Sequence, residues 1–200
     1  MGKRLFDLLL SALGLLLLAP LLLALALWIR LDSPGPALFR QQRVGQHGRL
    51  FRIHKFRTMR TAVGGLPLTV GVDPRITRAG HFLRRHKLDE LPQLIDVLKG
   101  DMSLVGPRPE VPRYVELYPA ELRAQALAVR PGITDPASLA HLDEAALLAA
   151  ASDPERDYIE RVLPAKLAAA VAYSQQATLA SDLRLLARTV WILLTRPRTP

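Results

Sequence analysis

The stretch LLLLAPLLLALALWIR, residues 15–30, is an apolar run interrupted by one proline. From Leu5 to Ile29 the sole charged residue is Asp7, so the apolar segment exceeds the roughly 20 residues that a helix needs to cross a bilayer. The run continues into Trp28 and Arg30 without the polar cleavage region of a signal peptide, and we expect the segment to be retained. Its length permits a membrane span or a segment that enters and turns back.

Pro20 lies near the middle of this run. It removes one backbone donor, and its ring pushes against the carbonyl of Leu16, which predicts a bend. Basic residues flank both ends of the run, beginning with Lys3 and Arg4 before it and Arg30 after it. Under the positive-inside rule both ends prefer the cytoplasm, which suits a re-entrant hairpin bent at Pro20. These features alone support a single-pass anchor equally well.

The composition limits the class of protein. Two hundred residues, half of them hydrophobic, suit one domain with a membrane contact. The formal charge of +9 calls for an anionic partner such as nucleic acid, acidic lipid or a phosphorylated small molecule. Aromatic residues are sparse and are not interleaved with basic ones, which argues against nucleic acid. The absence of cysteine excludes disulfides and a thiolate nucleophile.

The segment after the apolar run has the pattern of a β-hairpin. ALFRQQRVGQHGRLFRIHKFRTMR, residues 37–60, contains two stretches of β-type residues joined by VGQHG, residues 44–48. The next segment, residues 61–75, is rich in glycine and lacks the lysine and Ser/Thr ending of a Walker loop. We expect it to be a flexible loop rather than a phosphate cradle.

LDELPQLIDVLKG, residues 88–100, predicts a helix with leucines on one stripe and a stop at Gly100. Pro92 is tolerable only in the first turn, which puts Asp89 and Glu90 at the helix N-terminus, where anions are stabilised. Further helices are predicted at residues 119–128, 142–151 and 153–173. A last helix is predicted to start after Ser181, and its arginines and apolar residues are typical of an interfacial amphipathic helix.

An adjacent Asp-Glu pair at a helix start is by default a solvated complement to the helix dipole. Here Arg84 and Arg85 lie just upstream, and GPRP at residues 106–109 supplies Arg108 downstream. One carboxylate could attack phosphorus, another could hold a divalent cation, and arginines could neutralise phosphate oxygens. The pattern therefore favours phosphoryl transfer, with a rigid exit turn as the alternative for GPRP. The histidines show no metal-ligand or triad spacing.

Four motifs carry a family resemblance, and they occur in one order: KRLFDLLLSALGLLLLAP, FRQQRVGQHGRLFRIHKFRTM, LDELPQLIDVLKGDMSLVGPRPE and VRPGIT. Over residues 3–134 the chain closely resembles the bacterial sugar transferases, the monotopic phosphoglycosyl transferases. The resemblance implies a mostly helical α+β monotopic membrane protein with a re-entrant helix-break-helix over residues 1–31, a β-hairpin, a catalytic helix and interfacial amphipathic helices. Residues 32–200 would form a catalytic domain on the cytoplasmic face of the bacterial inner membrane.

The resemblance also implies an activity. Members move a phosphosugar from a UDP-sugar to polyprenol (undecaprenyl) phosphate, which releases UMP and starts a surface glycan. Downstream glycosyltransferases would be further partners. The competing hypothesis is a non-enzymatic, membrane-anchored basic adaptor that binds acidic lipid or nucleic acid.

Carried across to this chain, the family's Asp-Glu dyad falls on Asp89 as nucleophile and Glu90 as the Mg²⁺ ligand. The predicted phosphate- and substrate-binding residues are Arg108, Lys55, Arg57, Thr58 and Arg85.

Two departures from the family pattern matter. Ala19 precedes Pro20 where members commonly have serine, so no hydroxyl is available to a carbonyl freed by the proline. The segment from about 135 to 178 diverges and is the candidate for substrate selection. The sequence therefore leaves open whether the donor sugar is a hexose or an N-acetylated sugar.

Overall fold

The computed structural model describes residues 2–60, 73–135 and 148–195. Over these residues the fold is a mixture of helix and strand and is mostly helical, as predicted. The helices are α1 (Gly2–Asp32), α2 (Arg78–Arg85), α3 (Leu94–Lys99), α4 (Pro112–Val115), α5 (Ala120–Ala126), α6 (Pro154–Asp157), α7 (Leu163–Gln176) and α8 (Leu179–Thr195). The strands are β1 (Leu38–Val44), β2 (Leu50–Phe56), β3 (Ser103–Val105) and β4 (Gly132–Thr134).

Helix α1 is one helix of 31 residues that continues through Pro20. Proline removes one N–H, but its backbone angle fits a helix, so hydrogen bonds on either side can persist. The structure thus has a single helix where the sequence predicted a break; the re-entrant topology stays a prediction. Within the described ranges, α1 is the one helix long and apolar enough to cross a membrane, which is compatible with a monotopic anchor.

Both ends of α1 contact the rest of the chain. Near its start, the Arg4 Nη1 donates to the Val97 carbonyl of α3 at 2.8 Å. Near its end, Leu25 and Ile29 are buried in a cluster completed by Phe56, Ala79 and Leu83. Between these contacts the leucines of the middle are exposed, with Leu16 at 73% and Leu23 at 73%. The helix therefore lies along the protein and presents a leucine face outward.

The predicted hairpin is confirmed. Strands β1 and β2 pair antiparallel, with Val44 opposite Leu50 and Leu38 opposite Phe56. The loop between them turns through His47 (φ 55°) and Gly48 (φ 81°), both in the left-handed region. Most of the predicted flexible loop at 61–75 lies outside the described residues.

The chain turns sharply into the predicted catalytic helix. Lys87 has φ 55°, and Leu88–Gln93 forms a 3₁₀ segment before α3 begins. The tighter first turn accommodates Pro92, whose ring excludes an α-helical bond at that point. Gly100 ends α3 with φ 91°, as predicted.

Two glycines bring β3 and β4 into close contact. The strands pair in parallel, with Ser103 opposite Gly132. A Cβ on Gly132 would lie 2.0 Å from the nitrogen of Gly106, and a Cβ on Gly106 would lie 2.4 Å from the carbonyl oxygen of Arg130. Only glycine permits this approach, so the GPRP turn rests directly on the RPGIT segment, residues 130–134.

The C-terminal helices follow the prediction except at one boundary. Residues 154–176 are continuously helical through a π-helical turn at Tyr158–Val162. Helix α8 starts at Leu179 and not after Ser181: the Thr178 hydroxyl accepts from the Ser181 N–H at 3.1 Å, and the Ser181 hydroxyl accepts from the Thr178 N–H at 2.8 Å. Because this reciprocal pair is a capping box, Thr178 is the cap and Ser181 belongs to the first turn.

Helix α8 exposes apolar side chains at helical spacing. Leu183, Val190 and Trp191 are exposed by 45%, 55% and 68%. Helix α5 matches the predicted helix at 119–128, whereas most of the helix predicted at 142–151 falls outside the described residues.

The main core lies between the hairpin, α3, β3 and α7. Its buried members are Phe51, Ile53, Val97, Met102, Leu104, Val105 and Tyr173. This packing holds β2 against the segment that carries Asp89 and Glu90.

Candidate active site

Three charged side chains meet where β2 passes the 3₁₀ segment. The Lys55 Nζ lies 2.9 Å from Oδ2 of Asp89 and 3.3 Å from Oε1 of Glu90. Asp89 is 3% exposed, so its carboxylate lies in a site largely closed to water. The two carboxylates therefore converge on one cationic group.

Arg108 reaches the same cluster from the GPRP turn. Its Nη1 donates to Oε2 of Glu90 at 3.2 Å, and its Nη2 donates to Oε1. This two-point contact is the geometry in which a guanidinium binds a carboxylate or a phosphate most strongly. Burial disfavours the charged form of Glu90, but Arg108 and Lys55 more than offset that effect and hold its pKa well below its ordinary value. The Glu90 carboxylate in turn raises the pKa of Arg108, so the pair is fully ionised at neutral pH.

A buried His-Asp pair fixes the strand that carries Lys55. The Nδ1 of His54 lies 2.5 Å from Oδ1 of Asp96, and the His54 N–H donates to Oδ2 at 2.8 Å. Asp96 is fully buried, and it lies in α3, directly after the 3₁₀ segment of Asp89. Neighbouring residues of β2 thus contact two carboxylates of one continuous helical segment, and this aligns Lys55 with Asp89.

The turn that carries Arg108 is held by β1 and by the helices near the C-terminus. The Arg43 Nη1 donates to the Pro109 carbonyl at 3.1 Å, and the Val44 N–H donates to the Glu110 carbonyl at 2.9 Å. The Tyr158 hydroxyl donates to the Glu110 carboxylate. These contacts anchor the backbone that directly follows Arg108.

Two of the predicted phosphate-binding residues have other partners in the structure. Arg57 is buried, and its guanidinium donates to the carbonyls of Ile29, at 3.3 Å, and of Ser33, at 2.7 Å, and to that of Pro34. Arg57 thus joins the end of β2 to the end of α1. The Thr58 hydroxyl accepts from the Arg84 Nε at 3.0 Å. Their binding roles stay predictions, and the structure does not bring Arg57 to the Asp89–Glu90 cluster.

The binding role of Arg85 stays a prediction, and the structure places its neighbour Arg84 close enough to Asp89 to interact with that carboxylate. Arg85 is exposed at the end of α2. Burial lowers the pKa of Arg84, and the nearby Asp89 carboxylate opposes that shift. Ala79, Gly80 and Leu83 are the buried residues of α2. Arg84 follows the buried Gly80 by four residues, so both lie on the same face of α2. The helical period of the sequence could therefore have identified Arg84 as a residue of the inward face.

Sequence reasoning also missed the hairpin's contribution to a cleft beside the cluster. The register places Phe39 opposite Lys55 and Gln41 opposite Ile53, and alternation puts Arg43 on the same face. The cleft is lined by Phe39, Gln41, Arg43, Ile53, Lys55, Gln93, Arg108 and Pro109. The period of two residues along β1 was the signal that could have identified Arg43.

The donor atoms at the cluster suit a hard divalent cation. Mg²⁺ is usually bound through one or two carboxylates together with substrate phosphates. Asp89 and Glu90 already share one cationic partner in Lys55, so their oxygens can converge on a single positive charge. In the parts of the chain that the structure describes, no group of three or more His, Cys, Asp or Glu residues could hold a metal. Water and phosphate oxygens would complete the coordination.

Comparison with known proteins identifies the family. Residues 1–196 match the family described as bacterial sugar transferase. The UDP-glucose:undecaprenyl-phosphate glucose-1-phosphate transferase of Caulobacter vibrioides is 42% identical over 199 residues, which cover 96% of this chain and 70% of that protein.

Two further relatives are longer than the Caulobacter protein. The UDP-N-acetylgalactosamine-undecaprenyl-phosphate N-acetylgalactosaminephosphotransferase of Aeromonas hydrophila is 44% identical over 143 residues, 70% of this chain and 34% of that protein. The Escherichia coli protein, named like the Caulobacter one, is 46% identical over 136 residues, 66% of this chain and 29% of its own length. With the family profile spanning nearly all of its residues, this chain belongs to the bacterial sugar transferase family.

Proposed function

We propose that the protein transfers a sugar phosphate from a UDP-sugar to undecaprenyl phosphate, with release of UMP and formation of an undecaprenyl-diphosphate sugar. The observation that carries this proposal is the convergence of Asp89, Glu90, Lys55 and Arg108 in a chain of this family. The cluster supplies a carboxylate nucleophile beside cations that can neutralise phosphate oxygens.

The reaction we propose has two displacements at one phosphorus atom. An Asp89 carboxylate oxygen forms a bond to the sugar-bearing phosphorus, and the bond to the UMP oxygen breaks. A phosphate oxygen of the lipid then attacks the same phosphorus, and the bond to Asp89 breaks. Lys55 and Arg108 bind the equatorial oxygens through both steps, while Glu90 would hold Mg²⁺. When bound, Mg²⁺ would supply further neutralisation of the phosphate charge.

The membrane topology is part of the proposal. Soluble UDP-sugar and a lipid phosphate must reach one site, so we infer that the protein lies at the cytoplasmic face of the bacterial inner membrane. We propose that α1 is re-entrant and bends at Pro20 in the bilayer; the contacts of both of its ends with the same domain are compatible with both ends lying on one side of the membrane. The exposed leucine face of α1 and the exposed apolar residues of α8 would lie in the lipid.

Labelling can test this topology, because the chain has no cysteine of its own. Single cysteines that replace Gly2 and Asp32 should both react with an impermeant thiol reagent in inside-out vesicles. Neither cysteine should react when the reagent is added from the periplasmic side. Reaction of the two positions from opposite sides would establish a span instead.

UDP-glucose is the first donor to test. The Caulobacter relative, named for UDP-glucose, aligns over 96% of the chain and hence through most of the divergent segment 135–178. Relatives that align over smaller shares of the chain are named for both glucose and N-acetylgalactosamine. The longer alignment therefore favours a hexose, and this segment is where we place the choice of sugar.

The test is UMP release from a panel of UDP-sugars with undecaprenyl phosphate and Mg²⁺ in detergent. We expect release with one or a few sugars and its loss in Asp89→Asn, whereas Asp101→Asn, a matched change two residues beyond the end of α3, should retain it. Normal transfer by Asp89→Asn would exclude the covalent mechanism. No release with any UDP-sugar, together with salt-sensitive binding to polyanions, would instead support the basic adaptor, which the named activities of the relatives do not favour.

A further inference from the structure

The carboxylate of Glu90 is contacted by two cationic side chains, and it cannot keep these contacts and bind a metal ion at the same time. Arg108 contacts both of its oxygens, and Lys55 adds a third contact, to Oε1. The Glu90 side chain is only 16% exposed, so little of it is open to another ligand. A divalent cation would need the same oxygen lone pairs, and it would be repelled by the guanidinium beside them.

Arg108 and Lys55 could also bind a phosphate group. Both line the cleft beside the cluster, together with Arg43. A phosphate group entering this cleft would offer the guanidinium a two-point contact of the same kind that the Glu90 carboxylate makes. Phosphate and Glu90 are therefore competitors for Arg108, just as Arg108 and a divalent cation are competitors for Glu90.

We propose that Glu90 exchanges partners during binding: a phosphate ligand draws Arg108 and Lys55 away from Glu90, and the freed carboxylate then binds a divalent cation. This inference rests on the proposed function, since it takes the phosphate from the donor. Its consequence is that phosphate and cation strengthen each other's binding, and that the Glu90–Arg108 pair suppresses cation binding without phosphate. Because binding linkage is reciprocal, either ligand can be used to measure it.

This exchange makes an unusual prediction for a residue in the site. Removing Arg108 should strengthen binding of a divalent cation in the absence of phosphate. A simple view, in which Arg108 only helps to assemble the site, predicts unchanged or weaker binding. Arg113→Gln is the matched control, because Arg113 also pairs with a glutamate, Glu155, at 2.6 Å, but has no contact with the cluster. It removes the same charge from the protein.

The probe is Mn²⁺ alone, and its free concentration is followed by electron paramagnetic resonance with the full-length protein in detergent. We expect Arg108→Gln to bind Mn²⁺ about fivefold or more tightly than the wild type, the lower end of usual coupling free energies. Arg113→Gln should match the wild type, and Arg108→Gln combined with Glu90→Gln should lose the gain. Circular dichroism verifies that the variants are folded. Lys55→Gln is a second test variant, which should also bind Mn²⁺ more tightly than the wild type.

The second part of the experiment adds UMP. The affinity of UMP itself for Mn²⁺ is measured without protein, so that it can be subtracted. UMP should tighten Mn²⁺ binding to the wild type and have a smaller effect on Arg108→Gln. If both Arg108→Gln and Lys55→Gln bind Mn²⁺ no better than the wild type, the exchange is wrong even when UMP release from a UDP-sugar is normal. If no UDP-sugar is turned over but these variants bind Mn²⁺ more tightly, the exchange holds and the proposed function fails.

Discussion

The carboxylate of Asp7, inside the apolar helix α1, accepts a 2.8 Å hydrogen bond from the Ser103 hydroxyl on β3. The Leu104 N–H donates to its other oxygen at 3.3 Å, and Asp7 is 2% exposed. The one charge of the apolar run is therefore a tether, which holds the first turns of α1 to the strand that leads into the GPRP turn.

Loss of this tether should destabilise the protein. We expect Asp7→Ala to lower the free energy of unfolding by about 2 kcal/mol, because the buried Leu104 N–H loses its acceptor and the Ser103 hydroxyl keeps only the Val105 carbonyl. Asp7→Asn should cost less, since its amide oxygen can still accept one bond. Thermal unfolding in detergent measures the difference, with Leu9→Ala, an exposed position of the same helix, as the control. Equal unfolding of Asp7→Ala and Leu9→Ala would contradict this role.

Arg57 should be a structural tie between α1 and β2. Arg57→Gln and Arg57→Lys should both lose stability, by about 2–3 kcal/mol, because neither side chain reproduces the fork that contacts several carbonyls. Hydrogen exchange at residues 29–34 should quicken in both. Arg52→Gln, at an exposed arginine on β2, is the matched control. If Arg57→Lys kept full protection and lost only UMP release, Arg57 would act on substrate instead.

The close approach of the GPRP turn to β4 predicts that Gly106 cannot be enlarged. In Gly106→Ala the new Cβ would lie 2.4 Å from the Arg130 carbonyl oxygen, so the turn must move and shift Arg108. We expect a loss of about 2–3 kcal/mol from overpacking, together with a loss of UMP release. Gly2→Ala, which meets nothing within 4 Å, should behave like the wild type in both assays.

The His54–Asp96 pair should matter both to stability and to the alignment of Lys55. Asp96→Leu leaves the His54 N–H and ring nitrogen without their acceptor, and we expect a cost of about 2 kcal/mol. Asp96→Asn can still bond both groups and should recover most of the stability. Chemical denaturation compares the two, with Asp101→Leu as a less buried control. A loss of UMP release in Asp96→Asn beyond its loss of stability would show that alignment depends on the charge itself.

The ion pair between Glu90 and Arg108 should keep its contribution to stability down to acidic pH. Because the pKa of Glu90 is held below its ordinary value in the folded protein, the pair contributes stability above the unfolded value of about 4.3 and loses it only as pH falls below that range. The difference in free energy of unfolding between wild type and Glu90→Gln should thus be constant from about pH 8 to pH 5 and shrink below about pH 4. A difference that stayed constant well below pH 4 would show that Glu90 has an ordinary pKa in the folded protein.

Several features of the site could be predicted from local pattern. The leucine period and Gly100 identified the helical segment over residues 88–99, because helix formation and its termination depend on nearby residues. Asp89 and Glu90 lie in its 3₁₀ part, which precedes α3. The hairpin followed from its β-type residues and its glycine-containing loop. The start of α8 was misplaced by three residues, because both Thr178 and Ser181 can cap and only their reciprocal bonds show which one does.

The assignment of the arginines was less predictable. Arg57 has the same charge as Arg108, but it binds carbonyls at the end of α1, more than twenty residues earlier in the chain. Arg84 and Arg85 are neighbours in sequence, and the packing of α2 directs the first toward Thr58 and leaves the second exposed. A guanidinium can donate to any suitable oxygen within reach, so its role depends on which backbone the fold brings beside it.

By itself the sequence determined the apolar helix, the hairpin, the Asp-Glu segment and the family, since each depends on composition or on spacing along the chain. Only the tertiary structure decided that Asp7 binds β3, that Lys55 lies between two carboxylates, and that Glu90 is held by Arg108. These contacts join residues from 18 to 97 positions apart. Their formation depends on burial and on the close backbone approach at Gly106 and Gly132, which no local pattern records.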